Sequence, residues 1–85
     1  MIEPKPWKLG GFKPHEKWQS QMAKRGWTEQ QINEAIAAGA KKPAQNFINK
    51  DNSATRYVHP ETGRSVVIDD VTGEVIHVGG DGFKY

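Results

Sequence analysis

The sequence predicts an α+β domain, with two N-terminal helices packed on a twisted antiparallel sheet of three to four strands. Three observations predict it. Apolar residues recur at helical spacing up to Gly39, then alternate as in strands from Ala54. Turn-forming clusters at 60–63 and 70–73 separate the strand-like runs. Eighty-five residues, 35% of them hydrophobic, support one thin core rather than two domains.

Residues 1–13 hold Pro4, Pro6, Gly10 and Gly11 and read as a flexible tail or linker, with Trp7 and Phe12 able to tuck against the domain at 14–85. Pro14 suits the first position of a helix over 15–24, where Trp18 and Met22 stand four apart as a narrow core stripe. Arg25-Gly26 breaks that helix. The second helix is the best specified. Thr28 is its N-cap and Gln31 the capping-box partner, while Trp27 and Ile32 occupy the two positions of a hydrophobic staple. Ile32, Ala35 and Ile36 form its apolar stripe, and Gly39 is expected to end it in the left-handed conformation.

Residues 40–44 are basic and irregular, and residues 46–49, with Phe47 and Ile48, are expected to form a short first strand. Thr55, Tyr57 and Val58 favour a pleated strand over 54–59. Val66-Val67-Ile68 marks a central strand over 64–69, and residues 74–78 the next one. Residues 79–82 free the end, with Phe83 and Tyr85 folding back as a lid. The helices then cover one sheet face and leave the other open.

Cysteine is absent, which removes disulfides and thiolate metal sites. His15, His59 and His77 lie far apart without paired-ligand spacing, and no metal or other cofactor is expected. Phosphate-loop and serine-elbow motifs are missing, as is any apolar run of membrane-spanning length. The net charge of +2 conceals an asymmetry: residues 1–50 carry +5 and residues 51–85 carry −3. A basic half beside an acidic half suits one face for a polyanion, although lysines also simply solubilise small surfaces. Basic residues, aromatics and isolated histidines are the minimum needed for metal-free RNA cleavage: a base, a cation for the phosphorane and an acid. Composition alone leaves a nuclease and a non-catalytic RNA- or protein-binding domain about even.

Gln21-Met22, Arg25-Gly26-Trp27-Thr28-Glu29, Ala54-Thr55-x-Tyr57 and Val66-Val67-x-Asp69-Asp70-x-Thr72-Gly73-Glu74-Val75 occur in order across most of the chain. This ordered set resembles the E-five-type colicin ribonuclease domains and the related C-terminal toxins of contact-dependent growth-inhibition proteins. The resemblance implies the fold shared by barnase, RelE and the colicin tRNases. It implies a metal-independent endonuclease that cuts tRNA in the anticodon loop and leaves a 2′,3′-cyclic phosphate. It implies release from a larger secreted or cell-surface bacterial toxin, action in the target-cell cytoplasm, and a cognate acidic immunity protein that blocks the cleft by imitating RNA.

Carried over by position, the family's catalytic arginine falls on Arg25 and a catalytic lysine on Lys17. The eight residues between them are about two helical turns, so both share one face if the helix forms. A further lysine of the family lies in a loop that is shorter here, with Lys50 the nearest candidate and Lys42 the next. His59 and Arg64 are additions relative to the family. His59 alternates onto one strand face with Thr55 and Tyr57 and is a further catalytic candidate, as a proton shuttle, unless it is simply an exposed histidine beside Pro60. Lys24, Trp27, Lys41, Lys42, Arg56, Tyr57 and Arg64 are candidates for RNA binding. Plainer roles compete: Arg25 can snorkel over Trp27, Trp18, Trp27 and Tyr57 suit a core, and His77 shares parity with Val75 as a buried or edge histidine.

Overall fold

The computed structural model describes residues 7–79. Its elements run β1 (Lys8–Leu9), α1 (His15–Arg25), α2 (Glu29–Ala38), β2 (Ala40–Ala44), β3 (Ala54–Val58), β4 (Ser65–Asp69) and β5 (Glu74–Val78). The α+β class is as the sequence predicts, with a five-stranded sheet in the order β1-β5-β4-β3-β2. The four strands from β2 to β5 are antiparallel neighbours, whereas β1 pairs parallel to β5.

Two corrections concern the strands. The expected tail is a structural part of the sheet from Trp7 onward: Trp7 is buried, Lys8 N–H donates to Gly73 O, and Gly10 N–H donates to Val75 O. Residues 1–6 lie outside the described residues, as does the expected lid of Phe83 and Tyr85. The first strand after the helices is Ala40–Ala44, not residues 46–49, which form a loop. Its Ala-Lys-Lys-Pro-Ala sequence has little strand propensity. It serves as an edge, where Pro43 lacks only an outward donor and lysines discourage further pairing.

The start of α2 is as its signals predict, whereas Pro14 is the extended N-cap residue of α1 (ψ 147°) rather than its first helical residue. Thr28 Oγ1 accepts the Gln31 N–H at 3.2 Å, and Trp27 and Ile32 are both buried. α1 ends at Gly26, whose φ of 75° is the left-handed C-cap, with Trp27 N–H reaching Met22 O at 2.7 Å. Gly39 differs from expectation. It is extended, with φ −77°, and its role is close approach: an added Cβ would run into Val58 O and Ala35 O.

Trp7, Trp18, Trp27, Met22 and Ile32 fill the layer between the helices and Val66, Ile68, Val75 and Val78 of the sheet. Each indole N–H finds an acceptor: Asn33 Oδ1 for Trp7, Gly10 O for Trp18 and Gly79 O for Trp27. Three satisfied tryptophans let a short chain bury much apolar area without orphaned donors. The face expected to stay open is not bare. It carries a smaller cluster of Ala54, Val67 and Ile76, with Ala44 against it.

Candidate active site

Spacing along α1 builds the site. Residues four apart on a helix lie nearly above one another, so Lys17, Gln21 and Arg25 share a stripe beside the buried stripe of Trp18 and Met22. Lys13, just before the helix, extends the same stripe. Its Nζ donates to Gln21 Oε1 at 2.7 Å and stands 4.3 Å from the Trp18 ring centroid. Arg25 crosses to β5, where Nη1 donates to Val78 O at 2.7 Å. β1 pairs only Glu74 and Val75, so α1 supplies a partner to the far half of this strand.

The electrostatics show how closely the cations gather. Burial, and then the charges of Arg25 and Lys17, lower the Lys13 pKa below its usual lysine value. His77 is lowered to about 4, first by burial and then by the charges of Arg25 and Lys13. It is therefore neutral at pH 7 and adds no further positive charge.

His77 arrives there through an irregularity. In the β4–β5 ladder Val67 faces His77 and Ile68 faces Val75, which leaves Ile76 as an extra residue, a bulge. The slip breaks the parity with Val75 and turns His77 to the side of Val67. Cross-strand pairing continues that row through Val67↔Arg56 and Arg56↔Lys42. Lys42, Arg56 and His77 thus share one sheet face, and Arg56 Nη1 lies 3.4 Å from Ser65 Oγ. Lys13, Gln21 and His77 are site residues that sequence reasoning missed. The four-residue spacing 13, 17, 21, 25 was a visible signal for the first two, whereas the bulge left none.

Of the expected catalytic residues, Lys17 (exposed) and Arg25 (half-buried) lie on one stripe of α1, about two turns apart. His59 does not join them. It is 3% exposed, its Nδ1 accepts the N–H groups of Glu61 and Thr62, and its Nε2 donates to Glu34 Oε1 at 2.9 Å. That arrangement ties α2 to the β3–β4 turn and leaves no nitrogen for a substrate proton. In turn His59 holds the Glu34 carboxyl below its ordinary pKa by hydrogen bonding. Lys50 is exposed on the β2–β3 loop, across the sheet from α1.

The RNA-binding candidates also divide. Lys24 is exposed at the end of α1, and Lys41 and Lys42 are exposed on β2. Lys41 pairs with Tyr57 and so falls on the helix-side face, opposite Lys42. Trp27 is 3% exposed and belongs to the core, so its ring is not a stacking surface. Tyr57 likewise packs against the helix-side core. Arg64 Nη1 donates to Gly26 O at 3.1 Å, a cation capping the negative end of α1.

Among the described residues, no three His, Asp or Glu gather as a metal site would require, and no helix is long and apolar enough to cross a membrane. Two helices on a twisted sheet, with a stripe of cations beside a neutral histidine at the β5 edge, define a small α+β domain with one basic site. The colicin E5 ribonuclease domain model matches residues 14–82, and the chain belongs to that family of toxin ribonucleases. Colicin-E5 of Escherichia coli is 35% identical over 81 residues, covering 84% of this chain and 44% of that protein. The chain therefore spans less than half the length of this relative. No solved structure matches it.

Proposed function

We propose that this domain is an antibacterial endoribonuclease that cuts tRNA in the anticodon loop without a metal and leaves a 2′,3′-cyclic phosphate. The observation that carries the reading is the stripe of Lys13, Lys17 and Arg25 along one side of α1, near enough for the charges of Arg25 and Lys17 to act on Lys13. A fold gains nothing in stability from assembling like charges, whereas a phosphodiester answers all three.

In this reading the 2′-oxygen attacks the adjacent phosphorus, the O2′–P bond forms and the P–O5′ bond breaks. Lys13, its pKa lowered by burial and by the charges of Arg25 and Lys17, takes the 2′-OH proton. Arg25 faces the non-bridging oxygens and balances the charge that grows on them, and Lys17 gives a proton to the departing 5′-oxygen. The Val78 carbonyl holds the Arg25 guanidinium in place for this. Lys42 and Arg56 guide the RNA backbone across the sheet. An acidic immunity protein would cover the same cations, and release from a larger bacterial toxin would deliver the domain to the target-cell cytoplasm.

The test is incubation of the purified domain with total bacterial tRNA in EDTA, followed by gel and end-group analysis. Discrete fragments ending in cyclic phosphate are expected. Cleavage only after added magnesium would sink the mechanism, and intact tRNA from a folded, inhibitor-free sample would favour a domain that binds without cutting.

A further inference from the structure

The connection from β1 into α1, residues 10–14, is fixed by hydrogen bonds at several points. Gly10 N–H donates to Val75 O at 3.0 Å, and Gly10 O accepts from the buried Trp18 indole at 2.9 Å. Gly11 N–H donates to Glu74 Oε2 at 3.1 Å. Phe12 follows on this mount. Its ring meets the Trp18 ring edge to face, with centroids 5.7 Å apart and planes at 75°. Its atoms Cδ1 and Cε1 lie so close over Gly10 that a Cβ there would collide with them.

Those contacts leave Phe12 45% exposed. Covering Trp18 calls for an apolar side chain here, and an aliphatic one would do that as well. What a ring adds is a flat π-face, and its neighbour is the basic stripe. Lys13 Nζ stands 5.9 Å from the Phe12 centroid, and the charges of Arg25 and Lys17 act on Lys13 in turn. An exposed aromatic ring beside clustered cations is the pairing that holds single-stranded RNA: the ring stacks a base while the cations follow the phosphates.

We propose that Phe12 stacks against the nucleobase next to the scissile phosphate of the RNA substrate. The inference rests on the ribonuclease reading and deepens it, since the ring adjoins the ammonium group to which that reading gives the 2′-OH proton. A base on Phe12 brings its own ribose and phosphate within reach of Lys13, because only the sugar separates a base from its phosphate. Phe12 itself touches no reacting atom. It selects an unpaired nucleotide, whose base is free to leave its neighbours, and holds that nucleotide for attack.

The test is fluorescence anisotropy with a 2′-O-methylated RNA hairpin, which has an unpaired loop and no 2′-OH to attack. Phe12→Ala is expected to bind about five- to a hundredfold more weakly than the parent, the range that base–aromatic stacking spans. Phe12→Tyr keeps a ring and should bind like the parent. Phe12→Leu keeps an apolar cover over Trp18 and should bind as weakly as Phe12→Ala, with a thermal midpoint equal to that of Phe12→Tyr. If the alanine variant loses its fold, the tyrosine and leucine variants decide. Abasic nucleotides placed one at a time through the loop should reveal one position at which the parent and Phe12→Leu bind equally. Full binding by Phe12→Leu, or a parent advantage that survives an abasic nucleotide at every position, overturns the stacking role while the nuclease reading stands. Failure of the parent to bind the hairpin also overturns it, and the nuclease reading falls with it only if the parent leaves tRNA intact.

Discussion

Charge is handled in opposite ways at the two ends of β4 and β5. At one end Asp69 is fully buried and accepts from Asn46, Asn49 and Asn52 side chains and from the N–H groups of Val71 and Thr72. Burial alone would raise its pKa, yet those donors hold it far below the usual carboxylate range. At the other end Arg25 meets Val78, and Lys13 and Lys17 lie close enough for their charges to act on one another. The first arrangement satisfies a charge completely and fixes a loop. The second brings like charges near one another, and it is there that the proposed reading seats the phosphodiester. On that reading, stability and function are separated along the same two strands.

Four experiments press on that separation, and the largest effect belongs to the cation end. Arg25→Ala should lower tRNA cleavage by about 10²–10³ or more, as removal of a transition-state donor does. Initial rates would show it, with a thermal melt confirming the fold. Arg25→Lys should recover little, since an ammonium lacks the planar fork with which a guanidinium holds Val78 O and still presents two parallel donors to phosphate oxygens. A near-normal rate in either variant would erase the distinction between the two ends.

Asp69→Asn comes next and should cost about 3 kcal/mol in a urea melt, because an amide presents a donor to donors. The pH dependence has a fixed sign. The folded pKa is depressed, so this stabilisation is present above the unfolded value of 3.8 and disappears as pH falls through the much lower folded one.

A smaller change, about a hundredfold in rate, is expected for Lys13→Gln. Because the Lys13 pKa is lowered from 10.5, the parent rate should rise with pH and level off below the ordinary lysine range. Lys13→Arg should show no such rise, since arginine keeps its proton. The smallest effect concerns His77, whose folded pKa of about 4 lies under its unfolded 6.5. The unfolded chain binds more protons in that window, so stability should climb from pH 4 to 6.5, and His77→Gln should flatten the climb.

How much of this was legible in the sequence follows from how local each signal is. Thr28, Gln31, Trp27 and Ile32 lie within six residues, and they specify the start of α2 without help from the rest of the chain. Val66-Val67-Ile68 declares a central strand by its own composition. β1 does not, because two residues become a strand only through Glu74 and Val75, some sixty-five positions away. β2 is a strand because β3 pairs with it, against the preference of Lys41, Lys42 and Pro43. In the site, helical spacing placed Lys17 with Arg25, while the bulge at Ile76 concealed His77. His59 misled for a related reason: a histidine beside a turn looks available until its acceptor and donor are both found engaged.

The pairing of the first strand with the last has a bearing on how the domain comes into being. A chain emerging from a ribosome can form α1 and α2 early, since their contacts are local. The sheet edge that receives Arg25, and the strand that seats Lys8 and Leu9, both belong to β5. Until β5 has been synthesised and the long loop closed upon it, Arg25 lacks the Val78 carbonyl that holds it and β1 has no strand to pair with. On the proposed reading, the site is thus completed only once β5 is in place, late in the synthesis of the chain that carries it.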